Sequence, residues 1–201
     1  MIEVIVFDLG GVVVNVNLDT PLGVLFDNSG KLQNTFNGKT DFTGLLQNFE
    51  TGKLSALNFH EKIVNHLGIE LSFDEFISLS NDAIEAGDDG INTIIKSLSR
   101  KYKLAILSNT NPVHFDYIKD NYSIIGLFDH TVLSYEMGTV KPDIKAFEKL
   151  MHATSKLPSQ HLFIDDRIEN IIAAKKIGMD GIQYKSIKSL IAALNERGIS
   201  I

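Results

Sequence analysis

A short apolar run near the start of the chain ends in a single carboxylate. Residues 4–7 form a continuous β-branched and aromatic stretch, and Asp8 follows it just before the turn residues Gly10 and Gly11. Continuous apolar runs are typical of strands buried in parallel sheets. Open α/β sheets bind their ligands outside the carboxyl ends of the strands. A carboxylate there is costly to bury without a compensating cation, so we expect charged partners around Asp8.

Two later strand patterns also end in polar residues. Ser108 and Asn109 follow one apolar run, Asp165 and Asp166 follow another, and Lys141 lies in a connection leading into a helix. Parallel strands end at the same edge of a sheet, so three carboxylates, a hydroxyl, an amide and an ammonium should meet there. Three adjacent carboxylates cannot all stay ionised without a cation. Oxygen ligands of this kind suit Mg²⁺, which also binds substrate phosphate.

Alternating strand and helix patterns occupy the second half of the chain. Alternation of this kind predicts a parallel, Rossmann-like sheet with helices on both faces, and therefore the α/β class. The strands are predicted at residues 2–7, 104–107, 131–133, 161–164 and 181–184, and the helices at 91–99, 142–153, 168–177, 187–195 and from about 112 to 119.

The region from residue 15 to residue 83 has a different pattern of apolar and polar residues, with short helical patterns and no strand-like run. Ser55 is placed to cap one helix, and Ser72 with Glu75 forms a capping box that opens another helix through about Ile84. Residues 38–40 imitate the end of a phosphate-binding loop, but the required first glycine is missing and we discard that role. We predict a core domain of residues 1–14 and 84–201 with an inserted helical cap domain of residues 15–83.

Composition narrows the classes of function. The formal net charge of -6 argues against nucleic acid or an anionic membrane as the main partner. The chain has no cysteine, which excludes disulfides and thiolate metal sites. No apolar run approaches the length of a membrane span, and the first apolar run lacks the basic start of a signal peptide. We therefore expect a cytoplasmic protein, and the sequence leaves open whether it is a monomer or a homodimer.

Four segments in order resemble the motifs of the haloacid dehalogenase superfamily of hydrolases. They are residues 8–12, the pair Ser108 and Asn109, Lys141 with the proline after it, and the pair Asp165 and Asp166. The resemblance extends over nearly the whole chain, and residues 15–83 lie where that family inserts a helical cap. Residues 108–111 and 163–166 are also similar to a bacterial subgroup of phosphatases that includes an α-D-glucose-1-phosphate phosphatase.

The resemblance implies a role for each of these residues. Asp8 would be the nucleophile that forms an aspartyl-phosphate, and it would bind Mg²⁺ together with the backbone carbonyl of Gly10. Asp166 would be a direct metal ligand, and Asp165 a direct or water-bridged one. Lys141 would neutralise charge between the nucleophile and the phosphoryl group. The Ser108 hydroxyl and the Asn109 backbone would hold phosphate oxygens.

Gly10 departs from the pattern of most phosphatases in the family, which carry a second Asp there as general acid and base. Such a group contributes on the order of 10²–10⁴-fold to the rate. One hypothesis is that the substrate has a good leaving group, such as an anomeric sugar oxygen. The sequence does not reveal which residue replaces the missing base. His114, just after the second motif, could reach the edge of the site, but a position at the surface is expected. Asn170 either supports the aspartate pair or faces water.

The favoured function is a Mg²⁺-dependent phosphatase acting on a small phosphorylated metabolite, with a sugar phosphate preferred. A 2-haloacid dehalogenase is the alternative enzyme, although the paired Asp165 and Asp166 argue against it because halide release needs no divalent cation. A non-catalytic binder of phosphorylated ligands is the third hypothesis, and Gly10 is the residue that supports it.

Overall fold

The computed structural model describes residues 1–20, 22 and 42–201. Part of the predicted cap domain, including residues 38–40, lies outside these ranges. Two sheets are present in the described ranges, one large and one of two strands. Their strands are β1 (Val4–Phe7), β2 (Val14–Val16), β3 (Ile84–Ala86), β4 (Lys103–Ser108), β5 (His130–Leu133), β6 (His161–Asp165) and β7 (Asp180–Gln183).

The large sheet contains five parallel strands in the order β5-β4-β1-β6-β7. None of the helices that the structure describes between Phe42 and Glu196 is long and apolar enough to cross a membrane. The helices are α1 (Phe42–Glu50), α2 (Ala56–Leu67), α3 (Phe73–Asn81), α4 (Asp89–Leu98), α5 (Pro112–Asn121), α6 (Ser134–Met137), α7 (Ile144–Thr154), α8 (Ile168–Lys176) and α9 (Ile187–Glu196).

Helices cover both faces of the large sheet. Ile5 and Phe7 of β1 belong to one buried cluster, which also contains residues of α4 and α9. Val4 and Val6 belong to a second buried cluster, with residues of α7 and α8. Successive side chains of a strand point to opposite faces, so the two clusters are the two sides of one sheet. The predicted α/β class is confirmed.

The described helices of the inserted region pack around their own apolar cluster. Ser55 caps α2 by accepting a hydrogen bond from the backbone N–H of Asn58, and Ser72 and Glu75 form the predicted capping box at α3. Phenylalanine side chains from α1, α2 and α3 fill the centre of this cluster, and the rings of Phe49 and Phe59 stack with centroids 4.4 Å apart.

A short antiparallel ribbon connects the inserted helices to the rest of the chain. In this ribbon Val14 of β2 pairs with Ala86 of β3, and Val16 pairs with Ile84. The prediction that α3 continues to Ile84 is wrong, because that residue belongs to the ribbon. The prediction that residues 15–83 contain no strand is also wrong, because β2 extends to Val16. Both predicted domain boundaries fall at this ribbon, and the division into core and cap stays a prediction.

The helix after Lys141 begins two residues later than the sequence indicates. Pro142 was predicted in its first turn, whereas α7 begins at Ile144. The side chain of Asp143 accepts a hydrogen bond from the N–H of Lys145 at 3.0 Å, which fixes the start of the helix. Lys141 therefore lies in the loop before α7, at the edge of the large sheet where the strands end.

Candidate active site

The carboxyl ends of three neighbouring strands bring the predicted site residues together. Asp8 directly follows β1, Ser108 ends β4 and Asp165 ends β6. Because β1 lies between β4 and β6 and all three are parallel, their ends meet at one edge of the sheet. All three side chains are buried. The structure thus assembles these residues in the way that the strand pattern indicates.

Lys141 is the buried cation at this edge. Its Nζ lies 2.8 Å from Oδ1 of Asp8 and 2.7 Å from Oδ2 of Asp165. Burial by itself lowers the pKa of Lys141, but the two adjacent carboxylates together outweigh burial, and the pKa is raised above its ordinary value. The ammonium therefore stays protonated and links the two aspartates.

The side chain of Asn109 holds Lys141 in place. Its Oδ1 accepts a hydrogen bond from the backbone N–H of Lys141 at 2.7 Å, and its Nδ2 donates to the carbonyl of the same residue at 2.9 Å. The sequence resemblance implies a role only for the Asn109 backbone, so this reciprocal pair of bonds was missed. No sequence signal identifies it, because the two residues are brought together only by the loops after β4 and β5.

Three carboxylates form a compact cluster beside the lysine. Asp8, Asp165 and Asp166 each offer an oxygen within 4.8 Å of the others. Burial, followed by the charge of Asp165, raises the pKa of Asp166, and the same two causes hold the pKa of Asp8 above its ordinary range against the opposing effect of Lys141. One ammonium does not compensate three carboxylates. A hard divalent cation would supply the missing charge and lower these pKa values.

The donor set fits such a cation. Oδ1 of Asp166 is buried and has no hydrogen-bond partner among the described residues. An unpartnered buried carboxylate oxygen is costly, and coordination of a metal ion would remove the cost. Asp165 differs, because its two oxygens accept hydrogen bonds from Lys141, from Nδ2 of Asn170 at 3.0 Å, and from the N–H of Arg167 at 2.8 Å. Asn170 thus supports the aspartate pair, the first of the two roles considered for it.

Gly11 permits the close approach of Asp166. The glycine has a φ of +78°, and a Cβ added to it would lie 2.8 Å from Oδ2 of Asp166. A side chain at residue 11 would therefore both strain the backbone and displace the carboxylate of Asp166. The geometry therefore requires a glycine at residue 11, in the turn that follows Asp8.

We predict that Gly11→Ala lowers Mg²⁺ affinity by about 10–100-fold, as displacement of groups around a metal ligand commonly does. Isothermal titration calorimetry with MgCl₂ measures this directly. Gly198→Ala is the matched control, because Gly198 also has a positive φ of +70° and an added Cβ meets nothing within 4 Å. The control should lose some stability and keep its Mg²⁺ affinity. Equal affinities in the two variants would contradict the assigned contact.

The loop after β4 is fixed by a second pair of hydrogen bonds. The N–H of Thr110 donates to Oγ of Ser134 at 2.9 Å, and the Ser134 hydroxyl donates to the carbonyl of Thr110 at 2.8 Å. Ser134 is fully buried. The loop that carries Ser108 and Asn109 is therefore held rigidly against α6. Ser134 was not identified from the sequence, because no local pattern marks its bonds to a loop 24 residues away.

His114 is buried beside this loop, which corrects the expectation that it lies at the surface. Its side chain lines the cavity described below, and its Nδ1 lies 3.3 Å from Nδ2 of Asn111. Burial lowers the pKa of His114 to about 4, so the ring is neutral at physiological pH. The histidine belongs to α5, against which α3 of the inserted region packs.

Protonation of His114 should destabilise the fold in acid. The folded pKa of about 4 lies below the ordinary value of 6.5, so the unfolded chain takes up the proton first as pH falls. The stabilisation is complete above about pH 6.5 and is lost toward pH 4, by about 3 kcal/mol in total. Urea unfolding at pH 7 and pH 4 should show this extra loss in the wild type relative to His114→Gln. The exposed His152 gives a control, His152→Gln, which should retain the wild-type loss.

A cavity of about 510 Å³ opens onto the acidic cluster. Its floor is polar, and its walls carry both apolar and polar side chains from the sheet edge, the ribbon and α1. The volume is that of a small-molecule site. The lining residues include Asp8, Gly10, Gly11, Val14, Val16, Leu18, Glu50, Ile84, Ser108, Asn109, Asn111, His114, Ile118, Lys141, Asp166, Arg167 and Asn170.

The chain is similar to proteins of known activity or structure over most of its length. It is 30% identical to a D-ribitol-5-phosphate phosphatase of Bacteroides thetaiotaomicron, over 91% of this chain and 92% of the relative. A predicted HAD-like family hydrolase of Porphyromonas gingivalis superposes with a TM-score of 0.78 at 27% identity, over 97% of this chain and 98% of that chain. The magnesium complex of a HAD family enzyme from Bacteroides thetaiotaomicron superposes with a TM-score of 0.78 at 25% identity, over 92% and 93% of the two chains.

The family model for haloacid dehalogenase-like hydrolases matches residues 2–178. This range contains all four motifs and all three clustered carboxylates. The fold, the order of the motifs and the buried acidic site agree with the match. The chain therefore belongs to the haloacid dehalogenase-like hydrolase family.

Proposed function

We propose that the protein is a Mg²⁺-dependent phosphatase that hydrolyses a small phosphorylated metabolite through an aspartyl-phosphate on Asp8. The observation that carries the proposal is the buried cluster of Asp8, Asp165 and Asp166, with Lys141 bonded to two of them, at the floor of the cavity. This arrangement offers a carboxylate nucleophile, a cation site and a fixed ammonium in one place. Phosphoryl transfer requires mainly positioning and charge stabilisation of this kind.

Each residue has a defined place in the proposed reaction. Asp8 attacks phosphorus, and this covalent route divides one difficult displacement into two easier ones. Asp8, Asp166 and the carbonyl of Gly10 would hold Mg²⁺, which when bound would neutralise charge on the phosphoryl oxygens. Asp165 would be a direct or water-bridged ligand, and its oxygens also accept hydrogen bonds from Lys141 and other groups.

The phosphate oxygens would be held by groups of the loop after β4 and by Lys141. The Ser108 hydroxyl and the backbone N–H of Asn109 donate to them, and Lys141 neutralises charge between Asp8 and the phosphoryl group. The fixed loop after β4 keeps these donors in position through the bonds between Thr110 and Ser134. Donors that need no reorganisation are worth most where water is excluded.

A sugar phosphate or polyol phosphate is the favoured substrate. The relative that is 30% identical over nearly its full length is a D-ribitol-5-phosphate phosphatase, which supports this class and leaves the particular substrate open. The cavity of about 510 Å³ accommodates a molecule of that size. The guanidinium of Arg167 in its lining is suited to hydroxyl groups.

The test is release of inorganic phosphate from a panel of phosphorylated metabolites, with Mg²⁺ and with a chelator. The proposal predicts release from sugar or polyol phosphates with Mg²⁺ and its loss with the chelator. Full activity without a divalent cation would overturn the metal role. Halide release from 2-haloacids would instead support the dehalogenase hypothesis, and phosphate-ligand binding without any turnover would support the binder hypothesis.

A further inference from the structure

A phosphatase with Gly10 in place of the usual acid and base residue needs another proton donor for the leaving group. The described cavity lining contains six titratable side chains, and three of them already have roles. Asp8 and Asp166 belong to the metal site, and Lys141 is held between two carboxylates. The other three are Glu50, His114 and Arg167.

Two of these three are poorly suited to proton transfer. His114 is a buried ring whose Nδ1 lies 3.3 Å from Nδ2 of Asn111, and burial lowers its pKa to about 4, so at neutral pH it has no extra proton to donate. Arg167 keeps its proton in proteins, and its guanidinium is paired with Glu169 at 2.5 Å. Glu50 is the one remaining group among the described lining residues, and a carboxyl is a suitable general acid and base.

The segment that carries Glu50 is fixed by a close contact with α6. It is the last residue of α1, and Gly52 follows two residues later with a φ of +69°. A Cβ added to Gly52 would lie 2.1 Å from the carbonyl oxygen of Tyr135 in α6, so only glycine allows this approach. Residue 134 of α6 also fixes the loop that carries Ser108, so the segment bearing Glu50 is anchored to the scaffold of the site itself.

We propose that Glu50 is the general acid and base of this enzyme, taking the role of the residue that Gly10 lacks. This inference rests on the proposed phosphatase function. It places the proton-transfer group on α1 of the inserted region, in the lining of the cavity that also contains Asp8, while Asp8 itself remains on the sheet edge.

The proposed steps balance. In the first step a carboxylate oxygen of Asp8 bonds to phosphorus, the bond from phosphorus to the ester oxygen breaks, and protonated Glu50 gives its proton to that oxygen, which leaves as an alcohol. In the second step the Glu50 carboxylate takes a proton from water as the water oxygen bonds to phosphorus. The bond from phosphorus to Asp8 then breaks, which releases inorganic phosphate and restores both side chains.

The experiment compares two leaving groups in the wild type and in Glu50→Gln. The first substrate is the alkyl phosphate of the panel that the wild type hydrolyses fastest, with ribitol 5-phosphate included. The second is p-nitrophenyl phosphate, whose phenolate leaves without protonation. The value of kcat/KM reports the step in which the leaving group departs. We expect Glu50→Gln to lower kcat/KM by about 10²–10⁴-fold for the alkyl phosphate and to change it little for the aryl phosphate.

Glu61→Gln is the matched control, because Glu61 is an exposed glutamate of α2 that is absent from the cavity lining. It should behave as the wild type with both substrates. An equal loss for both esters in Glu50→Gln, at an unchanged urea midpoint, would overturn the role. A wild type that hydrolyses only anomeric and aryl phosphates would also overturn the role. That outcome would instead support the hypothesis that the substrate has a good leaving group and needs no general acid. A wild type that hydrolyses no phosphate ester would overturn the proposed function itself.

Discussion

Replacement of Asp8 by asparagine should abolish Mg²⁺-dependent phosphate release, with a loss of at least about 10⁴-fold in kcat. The amide is a poor nucleophile and a weaker metal ligand, so the variant loses both proposed functions of the side chain. The fold should persist, because Lys141 retains its bond to Asp165 at 2.7 Å. Steady-state phosphate release and urea unfolding of the same preparations measure the two effects separately.

The control for this substitution is Asp120→Asn, at an exposed aspartate on α5. The same chemical change there should leave both turnover and stability close to those of the wild type. Residual activity of Asp8→Asn within about tenfold of the wild type would mean that phosphorus is attacked by another group, most simply water. The proposed covalent route would then be wrong even if the metal site is correct.

Replacement of Lys141 by methionine should abolish turnover and also destabilise the fold strongly. The lysine is buried and bonds Asp8 and Asp165, so its removal leaves two buried carboxylates without their counter-charge. Breaking a buried ion pair by removing one partner costs about 3–5 kcal/mol. Urea unfolding at pH 7 without metal should show a loss of free energy of unfolding in this range.

Mg²⁺ should recover part of the stability of Lys141→Met, because the cation compensates the same carboxylates, but it should not restore turnover. Lys145→Met is the control, since Lys145 is exposed on α7 and should be replaceable at little cost. An unfolding free energy for Lys141→Met equal to that of the control would mean that the buried pairs contribute no net stability.

The sheet edge of the site could be predicted from the sequence because parallel topology determines it. Once strands end at Asp8, Ser108 and Asp165, a parallel sheet leaves them one common edge. Identifying the strands needed only continuous apolar runs, which are the clearest local signal of a buried strand. Lys141 was placed at this edge because it lies in a connection leading into a helix, and its two ion pairs depend on how the loop after β5 folds.

Contacts between distant loops could not be predicted in the same way. The bonds of Asn109 to the backbone of Lys141 join residues 32 positions apart, and those of Ser134 to Thr110 join residues 24 apart. Neither pair has a local pattern. Histidine is a polar residue that is often exposed, so the sequence around His114 gave no sign of burial. The residue is buried because α3 packs over the start of α5.

The ribbon between the inserted helices and the core was missed for a related reason. Strands of three residues, such as β2 and β3, are too short to show an alternating pattern. Ile84 instead continued the apolar spacing of the preceding helix, and the pairing of that residue with Val16 overrides the local preference. Glu50 was not singled out either, because a glutamate before Thr-Gly at a helix end is typical of a solvated position.

Transfer of a phosphoryl group to Asp8 is the central claim, and trapping the phosphoenzyme tests it most directly. The Mg²⁺-loaded wild type is mixed with its fastest substrate, quenched in acid during turnover, and digested for peptide mass spectrometry. The peptide containing Asp8 should gain the mass of one phosphoryl group, and the same peptide of Asp8→Asn should not. Continuing turnover with the phosphoryl group on another residue, or on none, would contradict the account.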